Sequence, residues 1–306
     1  MTDYTNTQGS FWIWEVRERQ LSEVWPKAAN PFISNNYGWF GGGSPSTSII
    51  DRLDFAAQTR IVSPAKLSTV RQLLAATSGD GYGWFGGGNP LTSTIDRLDF
   101  AAQTVSVSPA KLSTARQLLA ATSGGGYGWF GGGNPSTSII DRLDFLAQTV
   151  SVSPAQLSTA RQGLAATSGG GFGWFGGGVT VTSTIDRLDF FAETVSVSPA
   201  QLSVARGYLA ATSGGGFGWF GGGTPPNTST IDRLDFTAQT VSVSPAKLST
   251  ATQGLAATSG GGFGWFGGGS PNTSTIDRLD FLVETVSVSP ATLSIAKTNL
   301  AAISST

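Results

Sequence analysis

This chain repeats itself six times. Trp39, Trp84, Trp129, Trp174, Trp219 and Trp265 fall in one column of a self-alignment, at successive spacings of 45, 45, 45, 45 and 46 residues. Around each stands a near copy of one unit, typified by the stretch that opens with Tyr82-Gly83-Trp84-Phe85-Gly86-Gly87-Gly88 and extends to Ser123. Self-similarity at a period of roughly 40 to 50 residues belongs to propellers, solenoids and arrays, whose units bury their apolar faces only against one another. A length of 306 residues would otherwise invite two domains; here it resolves into one repeat domain over residues 37–306 and a distinct head over residues 1–36.

One unit reads as four short strands. From Leu119 it runs Leu-Ala-Ala-Thr-Ser, a glycine turn at Gly124-Gly125-Gly126, then Tyr-Gly-Trp-Phe and three more glycines. Next come Ile139-Ile140-Asp141-Arg142-Leu143-Asp144-Phe145 and, after a short turn, Thr149-Val150-Ser151-Val152-Ser153 leading to Arg161. Segments rich in β-branched and aromatic residues, separated by glycine, proline and small polar residues, predict a four-stranded antiparallel sheet. Small side chains in Leu-Ala-Ala-Thr-Ser suit the innermost strand, where copies crowd an axis. Tryptophan and phenylalanine, adjacent in a strand, point to opposite faces, so each packs into the gap on one side of its sheet. Six copies arranged radially fall within the usual 4 to 8 blades of a propeller. The first repeat lacks a preceding Leu-Ala-Ala-Thr-Ser, whereas the last ends in Leu300-Ala301-Ala302-Ile303-Ser304. The fold expected is therefore all-β, a six-bladed propeller of four-stranded blades with negligible helix, closed by the C-terminal strand completing blade one.

Over residues 37–306 the unit resembles the kelch repeat. The residues that carry the likeness are the glycines at Gly41-Gly42 and their counterparts, the strand Arg52-Leu53-Asp54-Phe55 and its counterparts, and the arginine before the next inner strand, at Arg71, Arg116, Arg161 and Arg206. That arginine becomes Thr252 and Lys297 in the last two copies, and the spaced kelch tyrosine and tryptophan are absent. The chain is accordingly kelch-like.

Composition removes several classes of function. The 42 glycines are periodic and flanked by aromatic and β-branched residues, which argues for a folded chain over a low-complexity one. A net charge of −1 with 12% charged residues leaves no electrostatic footprint for nucleic acid. The absence of histidine and cysteine removes the commonest general base, the thiol nucleophile and the usual transition-metal ligands, so neither enzyme, metal nor cofactor is expected. Residues 1–10 lack a basic start and an apolar run, and no stretch approaches the ~18 apolar residues of a membrane span.

Twelve of the fourteen aspartates lie in the repeated Ile-Asp-Arg-Leu-Asp-Phe motif, first seen at Asp51, Arg52 and Asp54. Paired carboxylates can serve as acid and base or bind calcium. Strand alternation places Asp51 opposite Asp54, however, and six identical copies speak against catalysis, so a structural ion pair or turn hydrogen bond that registers neighbouring blades is the expectation. The acids of the repeat domain outside this motif, Asp80, Glu193 and Glu284, make no evident asymmetric cluster. The copies differ most in the loop after the triple glycine, which makes Leu91, Val179, Val181, Pro225, Pro226, Asn227 and Asn272 the candidate binding residues.

The head holds three of the nine tryptophans and three of the five glutamates. Phe11 to Val16 suits a strand, while Trp14, Leu21, Val24 and Trp25 could share a helix face ended by Pro26, so the element type stays open. Phe11, Trp12, Trp14 and Trp25 form an attachment candidate, because tryptophan is a frequent interface anchor; folding back as a cap on the ring is the other possibility. Near-identical repeats of this Ile-Asp-Arg style resemble those of virion structural proteins of tailed bacteriophages. That resemblance implies a tail, neck or capsid-surface component located in the virion, with other structural proteins as partners and a host-surface glycan as a possible one. A free glycan- or peptide-binding propeller, using its six equivalent clefts for avidity, is the alternative.

Overall fold

The computed structural model describes residues 36–305. Attachment residues Phe11, Trp12, Trp14 and Trp25 lie outside the described residues.

Each repeat folds as the alternation of its side chains requires. In the second, the strands Ala75–Gly79, Tyr82–Gly86, Thr94–Asp99 and Thr104–Lys111 form an antiparallel sheet in that order, from the inside of the ring outward. Six such sheets make an all-β, six-bladed propeller with no helix among the described residues. Blade one is completed from the other end of the chain: Ala301–Ser304 pairs with Tyr37–Gly41, Gly41 opposite Ala301 and Gly38 opposite Ser304. The same strand packs beside the inner strands Ala75–Gly79 and Ala256–Gly260 of the flanking blades, so the ring closes. Supplying one strand from the far terminus removes the sheet edge that blade one would otherwise expose.

The core lies between blades. Trp84 and Ile95 of blade two pack with Phe130, Leu143 and Phe145 of blade three, all buried. Across every interface the indole stacks on the phenylalanine that ends the next blade's third strand, from 5.3 Å between centroids for Trp265 and Phe55 to 5.8 Å for Trp84 and Phe145. Such pairs contribute about 0.5–1.5 kcal/mol each beyond the area they bury. This packing explains why glycines flank the Trp-Phe pair of the second strand. A Cβ on Gly86 would stand 2.8 Å from the Phe130 ring, so glycine there admits the neighbouring blade's phenylalanine. Gly42 has a second reason, a φ of +69° with a carbonyl, Arg71 O, only 2.6 Å from where a Cβ would sit.

Asp51, Arg52 and Asp54 do not pair with one another; alternation gives them three tasks. Asp51, fully buried, faces blade six, where Lys297 Nζ lies 3.2 Å from its carboxylate. Arg52 faces the other way, 4.6 Å over the Tyr37 ring, because the register sets it opposite Trp39 in the adjoining strand. Asp54 ends the strand and accepts hydrogen bonds from the turn amides of Ala56 and Ala57 at 3.0 and 2.8 Å. Carboxylates equivalent to Asp51 take their cation from the preceding blade: Arg71 with Asp96, Arg116 with Asp141 and Arg161 with Asp186, each at 2.7 Å, and Arg206 with Asp232 at 3.1 Å. Burial pushes these four guanidinium groups down from their ordinary range, and the facing aspartates offset part of that shift. Glu193 and Glu284 also bridge blades, to Arg142 and Arg233 respectively.

Candidate functional site

A rigid ring is informative where its sixfold repetition fails. Both the loop after each second strand and the connection from each outer strand to the next inner strand lie at one end of the ring. Main-chain hydrogen bonds tie them together across the interfaces, as between Gln72 and Asn89, whose amides donate to each other's carbonyls at 3.2 and 2.7 Å. This end carries all seven candidate loop residues. Leu91, Val181, Pro225, Pro226 and Asn272 are exposed, while Val179 and Asn227 are half-buried. Asn227 is braced, its Nδ2 donating to Ser270 O of the next blade at 3.1 Å. Val179 leans inward instead: a Cβ on Gly163 would stand 2.4 Å from its Cγ2.

At the axis the same end narrows to a ring of peptide groups. Leu118 N donates to Leu73 O, Gly163 N to Leu118 O and Tyr208 N to Gly163 O, each at 2.8 Å; Gly254 N donates to Tyr208 O at 2.7 Å, Asn299 N to Gly254 O at 2.6 Å, and Leu73 N to Asn299 O at 2.8 Å. Six hydrogen bonds thus run head to tail around the axis, one per blade. The geometry requires a left-handed backbone at all six positions, with φ from +54° at Tyr208 to +65° at Gly254. For a side-chain-bearing residue that conformation costs about 1–2 kcal/mol, which the closed ring of hydrogen bonds and the packing on either side must offset.

The side chains of this column are Leu, Leu, Gly, Tyr, Gly and Asn, among the least uniform in the repeat. They surround an axial recess of about 100 Å³ whose wall is completed by Leu74, Leu119, Leu164, Leu209, Leu255 and Leu300. A mostly apolar wall that includes one tyrosine and one asparagine can hold a small flat or ring-shaped group and orient it by hydrogen bonds. The sequence pattern points to the loops and passes over this column, although the runs Arg-Gln-Leu, Arg-Gln-Gly, Arg-Gly-Tyr, Thr-Gln-Gly and Lys-Thr-Asn display its variation.

The opposite end is closer to sixfold. Its axial recess, about 110 Å³, is lined by Ser78, Ser123, Ser168, Ser213, Ser259 and Ser304 with the neighbouring alanines and threonines. Differences there are Ile303, which lines the recess where the other five blades have threonine, and the tips of the outer turns, where Leu146, Phe191 and Leu282 are 87%, 99% and 90% exposed. Among the described residues no three acidic, histidine or cysteine side chains are grouped to hold a metal ion, and no helix is long and apolar enough to cross a membrane.

These features define the chain as a β-propeller with one differentiated end. No family model matches the sequence, and no curated protein does. Among solved structures it is similar to one titled "Structure of YjhT", at a TM-score of 0.66 and 12% identity, covering 77% of this chain and 88% of that one. Likeness at that identity is likeness of fold.

Proposed function

We propose that this protein is a non-enzymatic interaction module that recognises its ligand at the loop end of the ring, with the axial recess bounded by Tyr208 and Asn299 as the centre of the site. The observation that carries this reading is the coincidence, at one end, of the varied loops and the varied axial column on a scaffold otherwise nearly identical from blade to blade. Small glycans or peptide termini suit the recess, since an apolar wall with two polar groups favours a compact group with a polar edge. Binding of the whole chain to a glycan array and a peptide array tests this. Tyr208→Ala and Asn299→Ala should each reduce the retained signal about tenfold, the effect of roughly 1.4 kcal/mol, while leaving the melting temperature within about 5 °C. Signal unaffected by both substitutions would overturn the assignment.

Attachment belongs to the same proposal. Phe11, Trp12, Trp14 and Trp25 dock the protein onto other structural proteins of a large assembly, and the kelch-like, phage-style repeats make a virion the assembly proposed. Tryptophans of this kind bury roughly 150–250 Å² each when packed, enough to anchor an interface. Trp12→Ala combined with Trp14→Ala should leave the ring folded and abolish recovery of the protein in purified particles. Melting of the ring by the same pair of changes would show instead that the head is a cap.

A further inference from the structure

We propose that the interface between the fifth and sixth blades is a binding site for a guanidinium group supplied from outside the ring. Five interfaces supply their own cation. There Asp51, Asp96, Asp141, Asp186 and Asp232 face Lys297, Arg71, Arg116, Arg161 and Arg206 at 2.7–3.2 Å. The sixth has the carboxylate, Asp277, but the position that would carry its cation is Thr252.

The acceptors that cradle a guanidinium elsewhere recur at this interface. Arg71 donates to the main-chain carbonyls of Phe85, Gly87 and Thr94, at 3.0, 3.1 and 3.1 Å, as well as to Asp96. Counting the same steps along the chain from Thr252 reaches Phe266, Gly268, Thr275 and Asp277. Thr252 does not replace the lost donors, because its hydroxyl turns to Ser270 O at 3.3 Å. Asp277 Oδ2, the oxygen that meets the cation in the five paired interfaces, keeps the Ser249 amide at 2.9 Å and meets no cation among the described residues; its Oδ1 is buried without a hydrogen bond, as is that of each paired aspartate.

Asp277 is 6% exposed where the five paired aspartates are 0%, so the site communicates with solvent. Burial pushes the Asp277 carboxyl up from its ordinary range, and hydrogen bonds from Ser249 restore only part of that, which marks a carboxylate short of positive charge. A planar guanidinium fits this set better than a spherical cation, because its donors diverge in one plane toward a carboxylate and carbonyls already arranged for that shape. Its source is either a free small guanidinium compound or an arginine side chain presented by a partner.

Thermal unfolding of the full chain with methylguanidinium, Nα-acetylarginine methylamide, methylammonium or potassium, at matched ionic strength, tests the assignment. Methylguanidinium at roughly ten times its dissociation constant should raise Tm by about 4 °C. That rise should vanish in Thr252→Arg, where the ring supplies its own cation, and in Asp277→Asn, an isostere that keeps the fold should the arginine variant fail to. An equal rise with the arginine derivative assigns the site to an arginine side chain, and a rise with methylguanidinium alone assigns it to a small free ligand. The proposal is overturned if methylguanidinium does no better than methylammonium or potassium, or if its effect persists in the variants.

Discussion

Deleting residues 300–306 should abolish the folded ring. The deletion removes Leu300 and Ile303, which are 5% and 4% exposed, and the four ladder positions that Ala301–Ser304 makes with Tyr37–Gly41. Burial of the two large side chains is worth about 1.5–3 kcal/mol each. Ladder hydrogen bonds add roughly 1 kcal/mol apiece, for a loss of about 7–10 kcal/mol. A domain's entire stability is typically about 5–15 kcal/mol, so a loss of this size leaves little or nothing, and the edge left on blade one invites association with other chains. Thermal unfolding followed by tryptophan emission, with size-exclusion chromatography, reads both effects. Deletion of residues 1–9 is the control, since that stretch is mostly polar and lacks core-forming side chains. A finer version is Ile303→Thr, which installs the residue found at the same place in the other five inner strands. Ile303 Cδ1 occupies the space directly over Gly83, and exchanging it for threonine should cost about 1–2 kcal/mol, a fall of roughly 3–6 °C in Tm. Two truncations that melt within roughly 3 °C of each other, the shift that about 1 kcal/mol produces, would refute closure by the C-terminal strand.

Two further outcomes concern the buried charges. Arg161→Met strands Asp186 and should cost about 3–5 kcal/mol, whereas adding Asp186→Asn should recover more than half of that loss in a double-mutant cycle; additive costs would show that the two groups are not coupled. Asp277→Asn should raise Tm at about pH 7 by roughly 3 °C, taking about 1 kcal/mol for a buried group short of partners. The sign comes from the raised carboxyl: the folded state holds a proton over a pH interval in which the unfolded state has released it. This group's contribution to stability is therefore most unfavourable above the folded value and is relieved as pH falls through it, so the advantage of the asparagine variant should shrink on acidification. An advantage that grows toward low pH would contradict the assignment.

Much of this architecture is legible in the residues. Six tryptophans in one column state the number of blades, strand alternation sends Trp and Phe to opposite sides, and the orphan Leu300–Ser304 segment announces closure, because a periodic sequence has to match a periodic structure. The loop residues Leu91, Val179, Val181, Pro225, Pro226, Asn227 and Asn272 stand out for a related reason: departures from a repeat are visible without a structure. What each charged residue touches is not legible in the same way. Strand alternation suggests that the motif Ile-Asp-Arg-Leu-Asp registers neighbouring blades but does not name the partner, and the partner of Asp96 is Arg71, 25 residues earlier and in another blade.

Repeat, strand count and closure follow from the residues alone, since these depend on local alternation and on counting copies. Folding in three dimensions settles which side chains share an interface, how six peptide groups from distant turns form a hydrogen-bonded ring at the axis, and that Thr252 in place of an arginine leaves Asp277 facing an interface with no cation of its own among the described residues. The physical reason is that contacts between blades join residues separated by about one repeat or, at the closure, by nearly the whole chain. Periodicity along the chain specifies the blade, and the meeting of one blade with the next is set by packing in three dimensions.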